Sequence, residues 1–195
     1  MRLLSSALCA GLLAAFAPQG AQATTVKHLD LPHMASSAAR VFRGTVTDVR
    51  PGVIKVGGGE LATIVYRIRV TESFKGDFAT FKDVMYADVE MFGGIKARSK
   101  RDGLQHFSAF GDMPVLERGR EYLLFLTAES SIALSSPVGL AQGLFEIDTS
   151  LPSEPTANRM SNAGLAADIE KVPIPYSQLA ERVRRIISGQ GGSRR

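Results

Sequence analysis

The chain of 195 residues is 45% hydrophobic, has no tryptophan and carries a formal net charge of +4. That excess is confined to one end, because residues 176–195 hold five arginines against one glutamate, whereas residues 24–175 hold 17 basic and 18 acidic residues. A basic face interleaved with aromatic side chains, the usual footprint of nucleic-acid binding, is therefore not indicated, and we expect no nucleic-acid partner.

Residues 1–23 have the pattern of a secretory signal peptide. Arg2 provides a short positive region, an apolar run follows, and Ala21 and Ala23 form a small-residue cleavage signal. We expect cleavage after Ala23, a mature chain that begins at Thr24, and a secreted or periplasmic location. The apolar run is shorter than the roughly 20 residues that a membrane-spanning helix needs, so no integral membrane span is expected.

The single cysteine, Cys9, lies in this apolar run, so the mature chain is expected to contain neither a thiol nor a disulfide. Its stability must then come from a hydrophobic core, and its length suits one domain. The predicted layout is a β-barrel domain over 24–148, a surface excursion over 149–175, a packed C-terminal helix over 176–188 and a disordered tail over 189–195.

The first predicted element is a short helix over roughly 31–39, with Asp30 as its N-cap and Pro32 in its first turn. A strand over 41–49 follows, in which Gly44 indicates a bulge or a tight bend. Residues 52–60 then form a hairpin connection with a flexible glycine tip. A strand follows this tip, whereas a phosphate-binding loop would require a helix there.

Residues 62–77 predict a long central strand that organises the fold. Its β-branched and aromatic residues alternate with polar ones, which indicates one buried face and one solvent-exposed face. The predicted buried residues are Ile64, Tyr66, Ile68 and Val70. The predicted outer-face residues are Arg67, Arg69 and Thr71.

A third strand is predicted over 81–91. Asp88 and Glu90 lie two residues apart on it and could form a catalytic pair of carboxylates. Two acids at this spacing on a strand are more typical of a solvated face. With His106 as a base, they define the hydrolase hypothesis, which has no further motif to support it.

Residues 92–114 read as an irregular loop with a basic cluster and partly exposed aromatic residues. Long loops on a β-scaffold often carry function, so this loop and the 52–60 hairpin tip are the predicted partner-binding region. The alternative is a solvated loop whose two phenylalanines cover an open end of the core. The candidate partner-binding residues are Lys96, Arg98, Lys100, Arg101, His106, Phe107 and Phe110.

Residues 122–126 are apolar on both parities, which predicts a strand buried on both faces or covered by a helix. A last strand is predicted over 141–147. Ser177 is the predicted N-cap of a C-terminal helix whose apolar stripe is expected to dock on the barrel. The alternative is a membrane-surface helix, because Arg182, Arg184 and Arg185 give it a basic character.

No motif for nucleophilic or metal-dependent catalysis is present in the sequence, so no catalytic residue, metal or cofactor is predicted. The chain has three histidines. His28 and His33 are five residues apart with Asp30 between them, a spacing that could form a metal site but is more typical of surface histidines.

The order of these elements resembles a group of secreted bacterial proteins of undefined function. The resemblance covers roughly residues 24–147 and departs at Arg120, which is inserted in the last-but-one motif. It implies a small OB-like barrel similar to netrin modules and tissue metalloprotease inhibitors. The motifs that carry it are Val70-x-Glu72-x-x-Lys75-Gly76, Gly93-Gly94, Gly119-x-Glu121-Tyr122-Leu123-Leu124-Phe125-Leu126 and Gln142-Gly143-x-Phe145.

Those inhibitors use an N-terminal cysteine and disulfides, which Thr24 and a thiol-free mature chain do not match, so no functional residue is carried over. The predicted fold is mainly β, a five- to six-stranded antiparallel OB-like barrel with two helices. The predicted function is a secreted or periplasmic, non-enzymatic binding module. The alternative is an inhibitor or accessory protein of a secreted metalloprotease, with the amine and carbonyl of Thr24 chelating its zinc.

Overall fold

A computed structural model describes residues 29–97, 104–107, 114–158 and 173–191, as backbone only for 94–97, 104–107 and 190–191. These residues form two α-helices and ten strands, with one 3-10 turn at Leu140–Gly143. The elements in chain order are α1 (Leu31–Ser37), β1 (Arg40–Val56), β2 (Gly59–Lys75), β3 (Ala79–Phe81), β4 (Val84–Phe92), β5 (Gly94–Ala97), β6 (Leu104–Phe107), β7 (Glu121–Leu126), β8 (Leu144–Ile147), β9 (Pro155–Asn158), β10 (Ile174–Pro175) and α2 (Tyr176–Gly191).

Eight of these strands form one antiparallel sheet in the order β10-β9-β8-β7-β1-β2-β4-β3, and β5 pairs only with β6. The fold is mainly β with two helices, as predicted. The sheet is not closed into a barrel, however, so neither the OB-like barrel nor its strand count is confirmed. Residues 149–175 are not only a surface excursion, because β9 and β10 extend the sheet beyond β8.

β1 and β2 are both 17 residues long and pair with each other along their whole length. The predicted alternation of β2 is confirmed, since its apolar parity is buried and Arg67, Arg69 and Thr71 are exposed. The predicted irregularity at Gly44 is also confirmed. The strand register shifts there, and a Cβ at Gly44 would lie 2.6 Å from the carbonyl oxygen of Arg69.

The sheet separates two hydrophobic cores, because the side chains of successive β7 residues point to opposite faces. The prediction of a strand buried on both faces is confirmed. On one face, the helix-side core contains Leu123 and Phe125 with residues of α1 and α2. On the other, the sheet-side core joins residues of β4 and β7, so the sheet curls around it.

Asp30 begins α1 as predicted, since its Oδ1 accepts a hydrogen bond of 2.7 Å from the backbone nitrogen of His33. α1 ends at Ser37, two residues earlier than expected. α2 begins one residue before Ser177 and runs past Gly189 to Gly191, so the first part of the predicted disordered tail is helical.

α2, which was predicted to dock on a barrel, packs against the open sheet. Leu179, Ala180 and Val183 have at most 1% of their surface exposed and belong to the helix-side core. This burial, rather than intrinsic helix propensity, is what holds a helix of this length in place. The apolar stripe of α2 is consequently used by the fold itself.

Candidate functional site

The far end of the β1–β2 hairpin projects beyond the rest of the eight-stranded sheet. β7 pairs with β1 only over 40–45, and β4 pairs with β2 only as far as Thr63. We call residues 52–62 the arm. Gly57 and Gly58 have φ values of +58° and +78°, which fits a two-residue turn whose twist matches that of the strands. The tip that the sequence predicts as flexible is therefore a tight hairpin turn.

The two faces of the arm differ in what covers them. Residues directly opposite in an antiparallel pair point to the same face, and Val53 lies opposite Ala62. Ala62 has the parity of Ile64, so both residues continue the face that forms the sheet-side core. Both are exposed, Val53 with 59% of its surface. We call Val53 and Ala62 the open face of the arm.

Ile54 and Leu61 lie opposite each other on the other face, and both are partly buried. On the open face, the next pair toward the tip is Lys55 and Glu60, and both residues are exposed. The open face therefore exposes an apolar pair, Val53 and Ala62, next to a pair of opposite charges, Lys55 and Glu60. The described part of the chain also leaves Val56, Phe81 and Leu151 exposed, and Val53 differs from these in having the parity of the sheet-side core.

The β5–β6 hairpin lies beside the arm. β5 follows β4 directly and lies close to both β1 and β2. The predicted loop at 92–114 is thus not wholly irregular, and just before β5 the backbone nitrogen of Gly93 donates a hydrogen bond of 3.2 Å to the carbonyl oxygen of Ala62 in the arm. Among the candidate residues, Lys96, His106 and Phe107 are in this hairpin, where Phe107 pairs with Gly94.

The other four candidate residues lie outside the described residues, so the predicted basic cluster stays a prediction. These four residues are Arg98, Lys100, Arg101 and Phe110. For the two predicted binding segments, the structure describes the arm and the backbone of the β5–β6 hairpin.

Asp88 and Glu90, the residues of the hydrolase hypothesis, bond to different partners. Asp88 accepts two hydrogen bonds of 2.9 Å from the guanidinium of Arg67, and these bonds lower the pKa of Asp88. Glu90 instead accepts a hydrogen bond of 2.5 Å from the Thr63 hydroxyl. A general acid at neutral pH needs a raised pKa, so the lowered pKa of Asp88 fits a surface ion pair instead.

The proposed histidine metal site receives no support from the described residues. His33 is exposed on α1, Asp30 is engaged as the helix cap, and His28 lies outside the described residues. Over the ranges that the structure describes, no three histidine, cysteine, aspartate or glutamate side chains are grouped as metal ligands would be. Neither of the two described helices has the length and apolar character required to cross a bilayer.

A polar cluster that the sequence did not predict joins β1, β2, β7, the residue before β9 and α2. Arg43 donates hydrogen bonds of 2.8 and 3.1 Å to Glu121 and of 2.9 and 2.7 Å to Glu154. Its guanidinium carbon lies 4.2 Å from the ring centre of Tyr176, within cation–π distance. Burial opposes the charge of Arg43, but its bonds to Glu154 and Glu121 outweigh this effect and raise the pKa of Arg43.

The same cluster ties α2 to the sheet through Glu72. The Tyr176 hydroxyl donates a hydrogen bond of 2.6 Å to Glu72, and Arg184 also bonds to this carboxylate. Burial, aided by the bond to Glu72, raises the pKa of Tyr176. We call Arg43, Glu72, Glu121, Glu154 and Tyr176 the Arg43 cluster. Its members bond to one another, which is typical of a structural tie.

The sequence contained only a faint signal of this cluster. Arg43 interrupts the apolar start of β1, and a charge in such a place requires a partner. The partners are 78 and 111 residues away along the chain, so no local spacing could identify them.

Comparison of the chain with protein-family models gives no match, and comparison with curated proteins gives none either. The arm and the Arg43 cluster are therefore the features of the structure from which a function can be inferred.

Proposed function

We propose that the protein is a non-enzymatic binding module outside the cytoplasm, and that the open face of the arm is the surface that its protein partner covers. The signal-peptide pattern of residues 1–23 supports the compartment. The observation that carries the proposal is the exposure of Val53 and Ala62 on the parity that forms the core of the sheet.

A partner that covers the open face would gain free energy by removing its apolar surface from water. Burial of apolar surface stabilises a contact by about 25 cal/mol per Å². The described fold has not used this surface, since Val53 stays 59% exposed. The matching surface of a partner is an apolar patch rimmed by polar groups that face Lys55 and Glu60, which is the usual anatomy of a protein interface.

The arm alone is too narrow for a stable interface, which buries about 800 Å² on each partner. The adjoining β5–β6 hairpin supplies the additional area in this proposal. Lys96, His106 and Phe107 are then the predicted contact residues next to the arm, as the sequence analysis proposed.

The alternative function, inhibition of a secreted metalloprotease, is a special case of protein binding. It requires the amine of Thr24, which lies outside the described residues, so no geometric argument favours it. A partner that proves to be a zinc protease would select this alternative. Adding one residue before Thr24 would then abolish inhibition if the chelation mechanism is correct and leave inhibition intact if it is wrong.

The test begins with a photo-crosslinking amino acid at position 53 in the protein expressed in its source cells. The crosslinked protein is identified and purified, and its affinity is measured for the wild type and for Val53→Asp. We expect Val53→Asp to weaken binding by about tenfold or more, because it places a charge in a desolvated contact.

Leu151→Asp is the matched control, since Leu151 is an equally apolar side chain, 50% exposed, in the turn between β8 and β9. The control should bind like the wild type. Equal loss in both variants, or unchanged binding by Val53→Asp, would show that the open face is not the interface.

A further inference from the structure

The side of β1 that faces away from β2 carries a long strand edge. β7 pairs with β1 only over 40–45, and the last backbone hydrogen bonds on that side join Val46 to Arg120 and Gly119. Over 47–55, no strand of the described sheet pairs with β1 on that side. We call residues 47–55 the β1 edge. An edge of this length is a template on which a strand of another chain can pair.

The hydrogen-bond pattern of the β1–β2 hairpin shows which backbone groups face this edge. Opposite residues in an antiparallel pair alternate between pairs that exchange N–H···O bonds and pairs whose groups point outward. The carbonyl oxygen of Ala62 accepts a bond from the nitrogen of Gly93, on the side away from β1, so Ala62 and Val53 are an outward pair. Alternation along β1 then directs the backbone nitrogen of Pro51 outward as well, toward the β1 edge.

Pro51 lies at the midpoint of the β1 edge and is exposed. If a second copy paired antiparallel along the whole edge about a two-fold axis, the two Pro51 residues would lie opposite each other. The flanking residues match in such a pair, because Val49 would lie opposite Val53 of the second copy. The two N–H···O bonds at the centre are missing, however, since proline has no N–H and its ring occupies that place.

We infer that Pro51 keeps the β1 edge from pairing with a second copy of this chain. Proline at this position removes no bond between β1 and β2, because its nitrogen faces away from β2. It does not form a turn either, since β1 continues through it to Val56. Proline on an exposed edge is a known protection against pairing between chains. This block concerns the edge of β1 and is independent of a partner on the open face of the arm.

The test compares the self-association of the wild type and of Pro51→Val by sedimentation velocity over a range of protein concentrations. We expect the dimer dissociation constant of Pro51→Val to be lower than that of the wild type by about tenfold or more, because two backbone hydrogen bonds are restored at the centre. Pro152→Val is the matched control, since Pro152 is exposed in the turn between β8 and β9. The control should associate no more than the wild type.

Hydrogen exchange identifies the surface that the Pro51→Val dimer uses. The amides of Val49, Val53 and Lys55 face the β1 edge, so their exchange should be slower in the dimer than in the wild type. Adding Val53→Pro to Pro51→Val returns a proline to the same edge and should restore the monomer. Circular dichroism of each variant checks folding, and the exchange of the three amides in Pro51→Val carries the test if the double variant unfolds.

Three results would overturn the inference. The first is a Pro51→Val protein that associates no more tightly than the wild type or than Pro152→Val. The second is association that leaves the exchange of the three amides unchanged. The third is a wild type that already forms a dimer in which these amides are protected.

Discussion

The Arg43 cluster and the arm lie at the two ends of β1. At one end a charged side chain is shielded from solvent, and at the other end an apolar side chain is exposed to it. At the start of β1, Arg43 and its carboxylate partners are drawn into a shielded network, with the Arg43 side chain only 15% exposed. At the far end of β1, Val53 stays in solvent although its face has the parity of the core.

This difference distinguishes residues that stabilise the fold from residues that a partner could contact. Charges that the fold shields must be partnered within the molecule, and those of Arg43 are. An apolar side chain that the fold leaves exposed on a projecting ribbon has no such internal role in the described structure. The Arg43 cluster adds polar bonds to the apolar packing that holds α2 on the sheet, and the arm is the region where we propose that a partner binds.

The largest effect is expected from breaking the tie with Arg43→Met. This change leaves Glu121 and Glu154 facing each other without their shared cation, and we expect a loss of about 3 kcal/mol in the free energy of unfolding. Urea denaturation measures it. Arg67→Met is the control, because the Arg67–Asp88 pair is 51% and 47% exposed and should cost at most about 1 kcal/mol. Equal losses would contradict a structural role specific to Arg43.

A smaller effect is expected from Tyr176→Phe, which keeps the ring over Arg43 and removes only the hydroxyl bond to Glu72. We expect a loss of about 1.5 kcal/mol, the lower end of the range for a hydrogen bond to a charged group. Urea denaturation and near-ultraviolet circular dichroism of the Tyr176 environment measure it. An unchanged free energy of unfolding would mean that α2 is held by its apolar face alone.

The pH dependence of the free energy of unfolding provides a second test of the Arg43–Glu154 ion pair. The hydrogen bond from Arg43 lowers the pKa of Glu154 below its ordinary value of 4.5. A lowered pKa in the folded state stabilises the protein above pH 4.5, and this contribution is lost as the pH falls through the folded-state pKa.

We therefore expect the wild type to be more stable than Glu154→Gln at pH 7, with a difference that shrinks below about pH 4.5. Urea midpoints of both proteins from pH 7 to pH 3 measure this difference. The lowered pKa values of Asp88 and Asp148 act equally in both proteins and cancel. A difference that stays constant across this range would contradict the proposed ion pair.

The smallest effect on stability is expected at the arm. Val53→Asp should change the free energy of unfolding by less than about 0.5 kcal/mol, because the side chain is exposed and away from the cores. Its melting temperature compared with that of the wild type measures this. A loss comparable with that of Arg43→Met would mean that the open face is structural after all.

Features with a local signal could be predicted from the sequence. Asp30 before Pro32 identified the start of α1, and the apolar parities of β2 and β7 identified which faces are buried. The hairpin connection at 52–60 was also identified, since Gly57 and Gly58 form the turn between β1 and β2.

The rest depends on contacts that local patterns do not encode. Pro51 interrupts a strand pattern, yet β1 continues through it, since beyond residue 46 its only strand partner in the described sheet is β2, and an edge position tolerates the missing N–H. β9 and β10 are only four and two residues long, too short for a periodic signal. The Arg43 cluster joins residues more than 70 positions apart.

The central claim is that a partner covers one face of the arm and not the other. Photo-crosslinking amino acids placed one at a time at Val53, Ile54, Leu61 and Ala62 test it most directly in the source cells. We predict strong crosslinks to one partner from positions 53 and 62 and weak ones from 54 and 61, which follows the strand alternation. Crosslinks of equal strength from all four positions, or from none, would contradict the account.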